Sequence, residues 1–114
     1  MAKFMYLFRH QNEGWKPTSP EEMQRRMKVW MNWIDELKKD GSLVSTGERL
    51  NGTGKVVRGK AKTVTDGPYA EAKDTIGGYM LVEAKDLARA VELSNGCPIL
   101  ESGGSVEIRP IVSM

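Results

Sequence analysis

Two carboxylates in the middle of the sequence are the first residues that could carry chemistry. Asp66 lies at the end of a short predicted strand and precedes Gly67-Pro68, which favours a turn that can direct the carboxylate into a cleft. Glu71 can converge with it, and two nearby carboxylates can divide acid and base roles or share a divalent cation. The alternative is structural: Asp66 accepts hydrogen bonds from the backbone of its own turn, and Glu71 pairs with Lys73.

A histidine and two arginines are further candidates. His10, the only histidine, follows Arg9 at the predicted end of the first strand. It can act as a general base or an anion contact at a pocket mouth, although a solitary surface histidine is the commoner case. Arg109 on the last strand can bind an anion or pair with a neighbouring glutamate. The predicted catalytic residues are Asp66, Glu71 and His10, and the predicted ligand-binding residues are Arg9, Tyr69, Trp33 and Arg109.

The sequence predicts no metal site and no cofactor. One histidine and one cysteine without close spacing to other ligand types exclude the usual zinc patterns. Cys97 precedes Pro98 and follows the end of a predicted helix, where the helix dipole disfavours a thiolate. We therefore predict a buried, unreactive thiol at Cys97 and no nucleophile.

Composition limits the class of protein. The 114 residues carry 17 basic and 15 acidic side chains, a net charge of +2, and 39% are hydrophobic. This length and composition predict one globular domain, residues 1–114. Because the charges are interleaved, no stripe that could follow a phosphate backbone is predicted, and we expect no nucleic-acid partner. A single cysteine, no apparent signal peptide and no long apolar run predict a cytoplasmic protein that does not bind a membrane.

The elements that must position these residues begin with one long helix. Ser19-Pro20-Glu21-Glu22 indicates an N-cap serine, a proline at the first helical position and a capping-box glutamate. Gly41 provides the stop, so a helix is predicted over about residues 20–40. Apolar residues recur on one predicted buried face at Met23, Met27, Trp30, Ile34 and Leu37. Trp33 and Trp15 lie off that face and are predicted to contact a second subunit or line a pocket.

The remaining pattern predicts an α+β fold. Apolar or alternating runs predict strands over 3–9, 42–46, 55–58, 61–65, 78–84 and 105–109, and Asp86 caps a second helix that ends near residue 95. The order β-α-β, hairpin, β-α-β predicts a ferredoxin-like antiparallel sheet with both helices on one face and an extra β-hairpin. The other face would lie bare, and its apolar residues predict that it packs against a second copy in a homodimer.

Several motifs in this order resemble the YCII-related (DGPF-motif) family. The run Val64-Thr65-Asp66-Gly67-Pro68-Tyr69 is similar to the motif that names the family, with tyrosine where phenylalanine is usual. The resemblance also covers the helix start at 19–22, the strand at 77–83, the Cys97-Pro98 step and the closing run 104–110. It implies a dimeric α+β barrel of bacterial origin. In the YCII branch, a histidine on the first helix and an aspartate before a proline form the proposed catalytic pair. Trp30 and Cys97 stand at those positions, so this chemistry is not carried over.

The sequence leaves two functions open, and it does not determine whether the protein is an enzyme. The first is a dimer that binds a small ligand in a cleft beside the Asp-Gly-Pro-Tyr motif. It predicts a concave pocket with convergent polar groups. The second is a non-catalytic accessory or regulatory dimer, which the family resemblance links to sigma factors or stress signalling through protein contacts. It predicts satisfied carboxylates and an exposed apolar patch outside the dimer face.

Overall fold

The fold is a four-stranded antiparallel sheet with two helices, and the order of its strands is that of a split β-α-β unit. The computed structural model describes residues 1–11, 19–68 and 74–113. Its elements are β1 (Ala2–Gln11), α1 (Pro20–Asp40), β2 (Leu43–Ser45), β3 (Gly54–Arg58), β4 (Thr63–Gly67), β5 (Asp74–Ala84), α2 (Leu87–Ser94), a 3-10 turn (Pro98–Leu100) and β6 (Ser105–Pro110). The main sheet has the order β2-β5-β1-β6, and β3 and β4 form a separate antiparallel pair. The predicted α+β class, with two helices and an antiparallel sheet, is confirmed.

Helix α1 begins and ends where its capping residues predict. The Ser19 hydroxyl accepts a hydrogen bond from the backbone N–H of Glu22 at 3.1 Å, and Pro20 occupies the first turn, where its missing N–H costs nothing. Gly41 has a φ of 78° and its N–H donates to the carbonyls of Leu37 and Lys38. Because glycine adopts this left-handed conformation without strain, the helix stops there.

The core lies between one face of the sheet and the helices. Alternate residues of β1 point into it, because successive side chains of a strand lie on opposite faces. Phe4, Tyr6 and Phe8 are all buried, as are Met80 and Val82 on the neighbouring strand β5. The odd-numbered residues of β1 therefore lie on the face that the helices leave open.

Trp33 corrects the predicted face of α1. Its side chain is 3% exposed, and its indole Nε1 donates to the Leu93 carbonyl of α2 at 3.1 Å. The prediction that Trp33 lies off the buried face is wrong, because α2 packs on that side of α1 and accepts the indole N–H. Met23 and Met27, which were predicted to point inward, are 45% and 63% exposed.

The β3–β4 pair stands apart from the main sheet. Val57 lies opposite Val64 in its register, and both side chains are exposed. Gly59 and Lys62, the first and last residues of the four-residue connection, both have a positive φ. Within the described residues, no helix is long and apolar enough to cross a membrane.

The buried position of Trp33 is testable by substitution. We expect Trp33→Phe to lower the free energy of unfolding by about 2 to 3 kcal/mol, because it removes packed atoms and leaves the Leu93 carbonyl without its donor. Trp30→Phe is the matched control and should cost less than about 1.5 kcal/mol, since Trp30 is partly exposed. Urea unfolding followed by circular dichroism measures both values. Equal losses would show that Trp33 is not the core tryptophan.

Candidate functional site

The open face of the sheet carries an apolar centre. Leu7 of β1 lies opposite Tyr79 of β5, and Met5 lies opposite Leu81. All four side chains are partly exposed, and none belongs to the core cluster or to the hydrophobic residues packed against it. They occupy the two central strands, so the apolar surface lies in the middle of this face. We call the side of the sheet opposite the helices the open face, and we call Met5, Leu7, Tyr79 and Leu81 its apolar centre.

An ion-pair cluster borders the open face along β6. Arg9 Nε donates to Glu107 Oε1 at 2.8 Å, and Arg109 Nη1 lies 3.4 Å from Glu107 Oε2. The hydrogen bond from Arg9 holds the pKa of Glu107 below its usual value, with a smaller contribution from Arg109. The structure thus brings together two predicted ligand-binding residues, Arg9 and Arg109. Both arginines pair with Glu107, and for Arg109 an ion pair with a neighbouring glutamate was one of the two predicted roles. The role of both residues in binding a ligand stays a prediction.

Asp66 lies on the hairpin and not on the main sheet. Its side chain is 90% exposed, and its Oδ1 lies 2.5 Å from Lys55 Nζ on the opposite strand. The peptide bond between Gly67 and Pro68 is cis. Tyr69 and Glu71, the other candidates of this motif, lie outside the described residues, as does Trp15. The described residues therefore place Asp66 on a projecting element, apart from the arginines of the sheet.

His10 lies at the end of β1, opposite Thr75. Strand alternation places it on the same side of the sheet as Phe8, which is the side of the helices. A Cβ atom at Gly77 would lie 2.7 Å from His10 Cδ2 and Nε2. Gly77 is thus needed for the close approach of the imidazole, and a substitution there would displace the ring. The structure separates His10 from Arg9, which points to the open face.

A shallow groove that the sequence reasoning missed runs between the first half of α1 and the 3-10 turn. Its lining includes Arg25, Arg26, Val29, Trp30, Pro98 and Glu101. The signal that could have found it is the Arg25-Arg26 pair one turn before Trp30. Trp30 also packs edge-on against Phe8, with ring centroids 5.2 Å apart. The groove therefore combines an aromatic wall with charges of both signs.

Of the two positions that the family resemblance assigns to a histidine and an aspartate, one lines this groove and the other precedes a residue that lines it. Trp30 lines it in place of the histidine, and Cys97, at the aspartate position, is 2% exposed beside Pro98. Burial raises the pKa of the Cys97 thiol to about 12, so the thiol stays protonated at neutral pH. Neither side chain can exchange a proton in the way a histidine–aspartate pair does. Among the described residues, no three His, Cys, Asp or Glu side chains are grouped to hold a metal ion.

The buried thiol predicts slow chemistry at Cys97. Raising a pKa from 9.0 to about 12 lowers the thiolate fraction at pH 8 by about 1,000-fold, and the thiolate is the reactive form. We expect Ellman's reagent to modify the native protein at least about 100-fold more slowly than the urea-unfolded chain. Absorbance at 412 nm measures both rates. Fast labelling of the folded protein would mean an accessible, activated thiol and would contradict this account.

Comparison with protein families agrees with the geometry of the sheet and helices. The model of the YCII-related domain matches residues 3–114, which includes every strand and helix from the second residue of β1 onward. A comparison with curated proteins gives no match. Since the family match extends over nearly the whole chain, the chain belongs to the YCII-related family.

Proposed function

We propose that this chain functions as a homodimer that binds a small ligand, and that two copies meet through their open faces. The observation that carries the proposal is the apolar centre on the face of the sheet opposite the helices. A sheet normally buries its apolar faces against a second layer. Here the helices provide that layer on one side only, and a second sheet would provide it on the other.

The arrangement of the open face resembles that of a protein interface. Leu7 and Leu81 are central, while Arg9 of β1 forms a charged border with Glu107 and Arg109 of the edge strand β6. Interfaces commonly have an apolar core and a polar rim of this kind. In a two-fold symmetric dimer, each patch contacts the same patch of its partner, so the face needs to be complementary only to itself.

The ligand site of the proposal lies beside the Asp-Gly-Pro-Tyr motif. Asp66 and Lys55 present a carboxylate and an ammonium group on one exposed face of the hairpin. An exposed ion pair adds little to stability because water screens it, so the pair can exchange its contacts for those of a ligand at small cost. A small polar molecule with both donor and acceptor groups fits this chemistry.

A second candidate is an accessory dimer that acts through protein contacts, linked to sigma-factor or stress signalling. The observation that favours it is a methionine stripe on α1. Met23, Met27 and Met31 are spaced by four residues, so they share one side of the helix, and all three are exposed. Methionine-rich surfaces adapt to partners of different shape. This stripe lies outside the open face, as the second function requires.

The open face is tested by placing a charge in its centre. We expect Leu7→Lys to raise the dissociation constant of the dimer at least about 100-fold, because burying an unpaired ammonium costs several kcal/mol. Met27→Lys is the matched control, since it adds the same charge at an exposed apolar residue of α1. Sedimentation equilibrium measures the constants, and circular dichroism confirms the fold. A monomeric parent chain, or a Leu7→Lys variant that dimerises like the control, would reject this interface.

The ligand site is tested by thermal shift with Asp66→Asn. Because the Asp66 carboxylate is exposed, we expect the variant to melt within about 2 °C of the parent when no ligand is present. A metabolite that binds at the motif should raise the melting temperature of the parent with increasing concentration and should not raise that of Asp66→Asn. Asp35→Asn makes the same change on the exposed surface of α1 and should respond like the parent.

Two outcomes of that screen decide between the functions. An equal shift in all three proteins would place the ligand elsewhere. If no compound raises the melting temperature of the parent, the ligand-binding function fails and the accessory function through the methionine stripe takes its place.

A further inference from the structure

The β3–β4 hairpin lacks the packing that such an element needs. It pairs only with itself in the described sheets, and of its ten strand residues all but Val56 and Gly67 are exposed. An isolated two-stranded hairpin is marginally stable in water, and it usually needs a third strand or a packed face. We therefore expect this exposed hairpin to be stabilised by packing against another surface.

The dimensions of the chain agree with a projecting hairpin. The radius of gyration is 15.8 Å, whereas a compact domain of this length has a radius of about 13 Å. The chain enters the hairpin after β2, the edge strand of the main sheet, and returns to β5 beside it. The hairpin thus leaves from the β2 edge of the sheet.

One face of the hairpin carries both the valine pair, Val57 and Val64, and Asp66 of the Asp-Gly-Pro-Tyr motif. Val57 lies opposite Val64, and Lys55 lies opposite Asp66. Residues two apart on a strand share a face, so the exposed valine pair and the Lys55–Asp66 ion pair are neighbours on one surface. Arg58 and Thr63 lie on the other face. Any surface that covers the valines would also receive Asp66.

We propose that the β3–β4 hairpin is an arm that packs, through the face with Val57 and Val64, against a second copy of this chain, and that a residue of this second copy completes the ligand site beside Asp66. The inference rests on the homodimer proposed above and deepens it, because each site then needs a residue from both copies. The chain enters the arm from β2, the edge strand of the sheet whose open face forms the proposed interface. It also carries a formal charge of +3 over residues 54–67, which leaves −1 for the remainder of a chain with +2 overall. The arm and the remainder of the chain thus have net charges of opposite sign, which favours contact between the arm of one copy and the body of the other.

Photocrosslinking between isotopically distinct copies tests the arm. Benzoylphenylalanine is placed at position 57 of an unlabelled chain, which is then refolded with an excess of the 15N-labelled parent. The matched control carries the same group at position 58, on the opposite face of the hairpin. We expect position 57 to give at least about fivefold more crosslinks to labelled peptides than position 58, because only its face contacts the partner. Mass spectrometry separates these products from crosslinks within the unlabelled chain.

The outcomes separate the arm from the dimer on which it rests. Sedimentation of the same samples reports the dimer. If they sediment as dimers and position 57 crosslinks only within its own chain, or no more than position 58, the arm is overturned while the dimer stands. If the parent is a monomer, both proposals fail.

A second variant tests the arm without a photoreactive group. Val57→Thr with Val64→Thr keeps β-branched side chains at both positions and removes two apolar contacts. It should raise the dissociation constant of the dimer at least about tenfold, and an unchanged constant would also overturn the arm.

Discussion

The contact of Tyr6 and Trp33 with helix α2 fixes the arrangement of the core. The two rings stack with centroids 6.1 Å apart. The Tyr6 hydroxyl donates to the Ala90 carbonyl at 2.5 Å, and Trp33 donates to the Leu93 carbonyl. These bonds tie β1, α1 and α2 together on one side of the sheet. Burial raises the pKa of Tyr6 to about 12, so its hydroxyl remains a donor throughout the physiological range.

Among the residues that the structure describes, this constraint leaves the opposite face of the sheet without a helical layer. Both helices are held by the core, so neither can cover Leu7 and Leu81. The same face borders the arginines that pair with Glu107 and the edge from which the hairpin projects. The proposed dimer would cover the apolar centre, give the hairpin a surface and bring Asp66 into contact with a second copy. The packing of both helices on one side of the sheet thus leaves the other side for the proposed dimer, which in turn contains the proposed ligand site.

The sequence predicted the parts of the fold that depend on local signals. Ser19, Pro20 and Gly41 act within one turn of the backbone, and the bounds of α1 followed from them. The buried face of α1 was only partly predicted, because the position of α2 is a tertiary property. Trp33 was misplaced for this reason, since its partner is a carbonyl sixty residues along the chain.

The candidate site was predicted less well than the fold. The types of residue indicated which side chains could carry chemistry. Whether these side chains lie close together depends on the register of the strands and on the side of the sheet that each residue faces. Arg9 and Arg109 meet because β1 and β6 pair in a register that sets both beside Glu107. His10, one residue from Arg9, lies on the other side of the sheet. Asp66 is separated from them because it lies on the β3–β4 hairpin, which pairs with itself and not with the main sheet, and local sequence signals do not reveal where such a hairpin lies.

Oxidation of the methionines by hydrogen peroxide tests whether the open face is buried between two copies of the chain. Met80 in the core is 1% exposed and Met27 on α1 is 63% exposed, so they calibrate protected and accessible rates within one molecule. We expect Met5 on the open face to oxidise as slowly as Met80 in concentrated protein, and to oxidise faster when the protein is diluted below the dissociation constant of the dimer. A Met5 rate that is independent of protein concentration and stays well above that of Met80 would contradict this expectation.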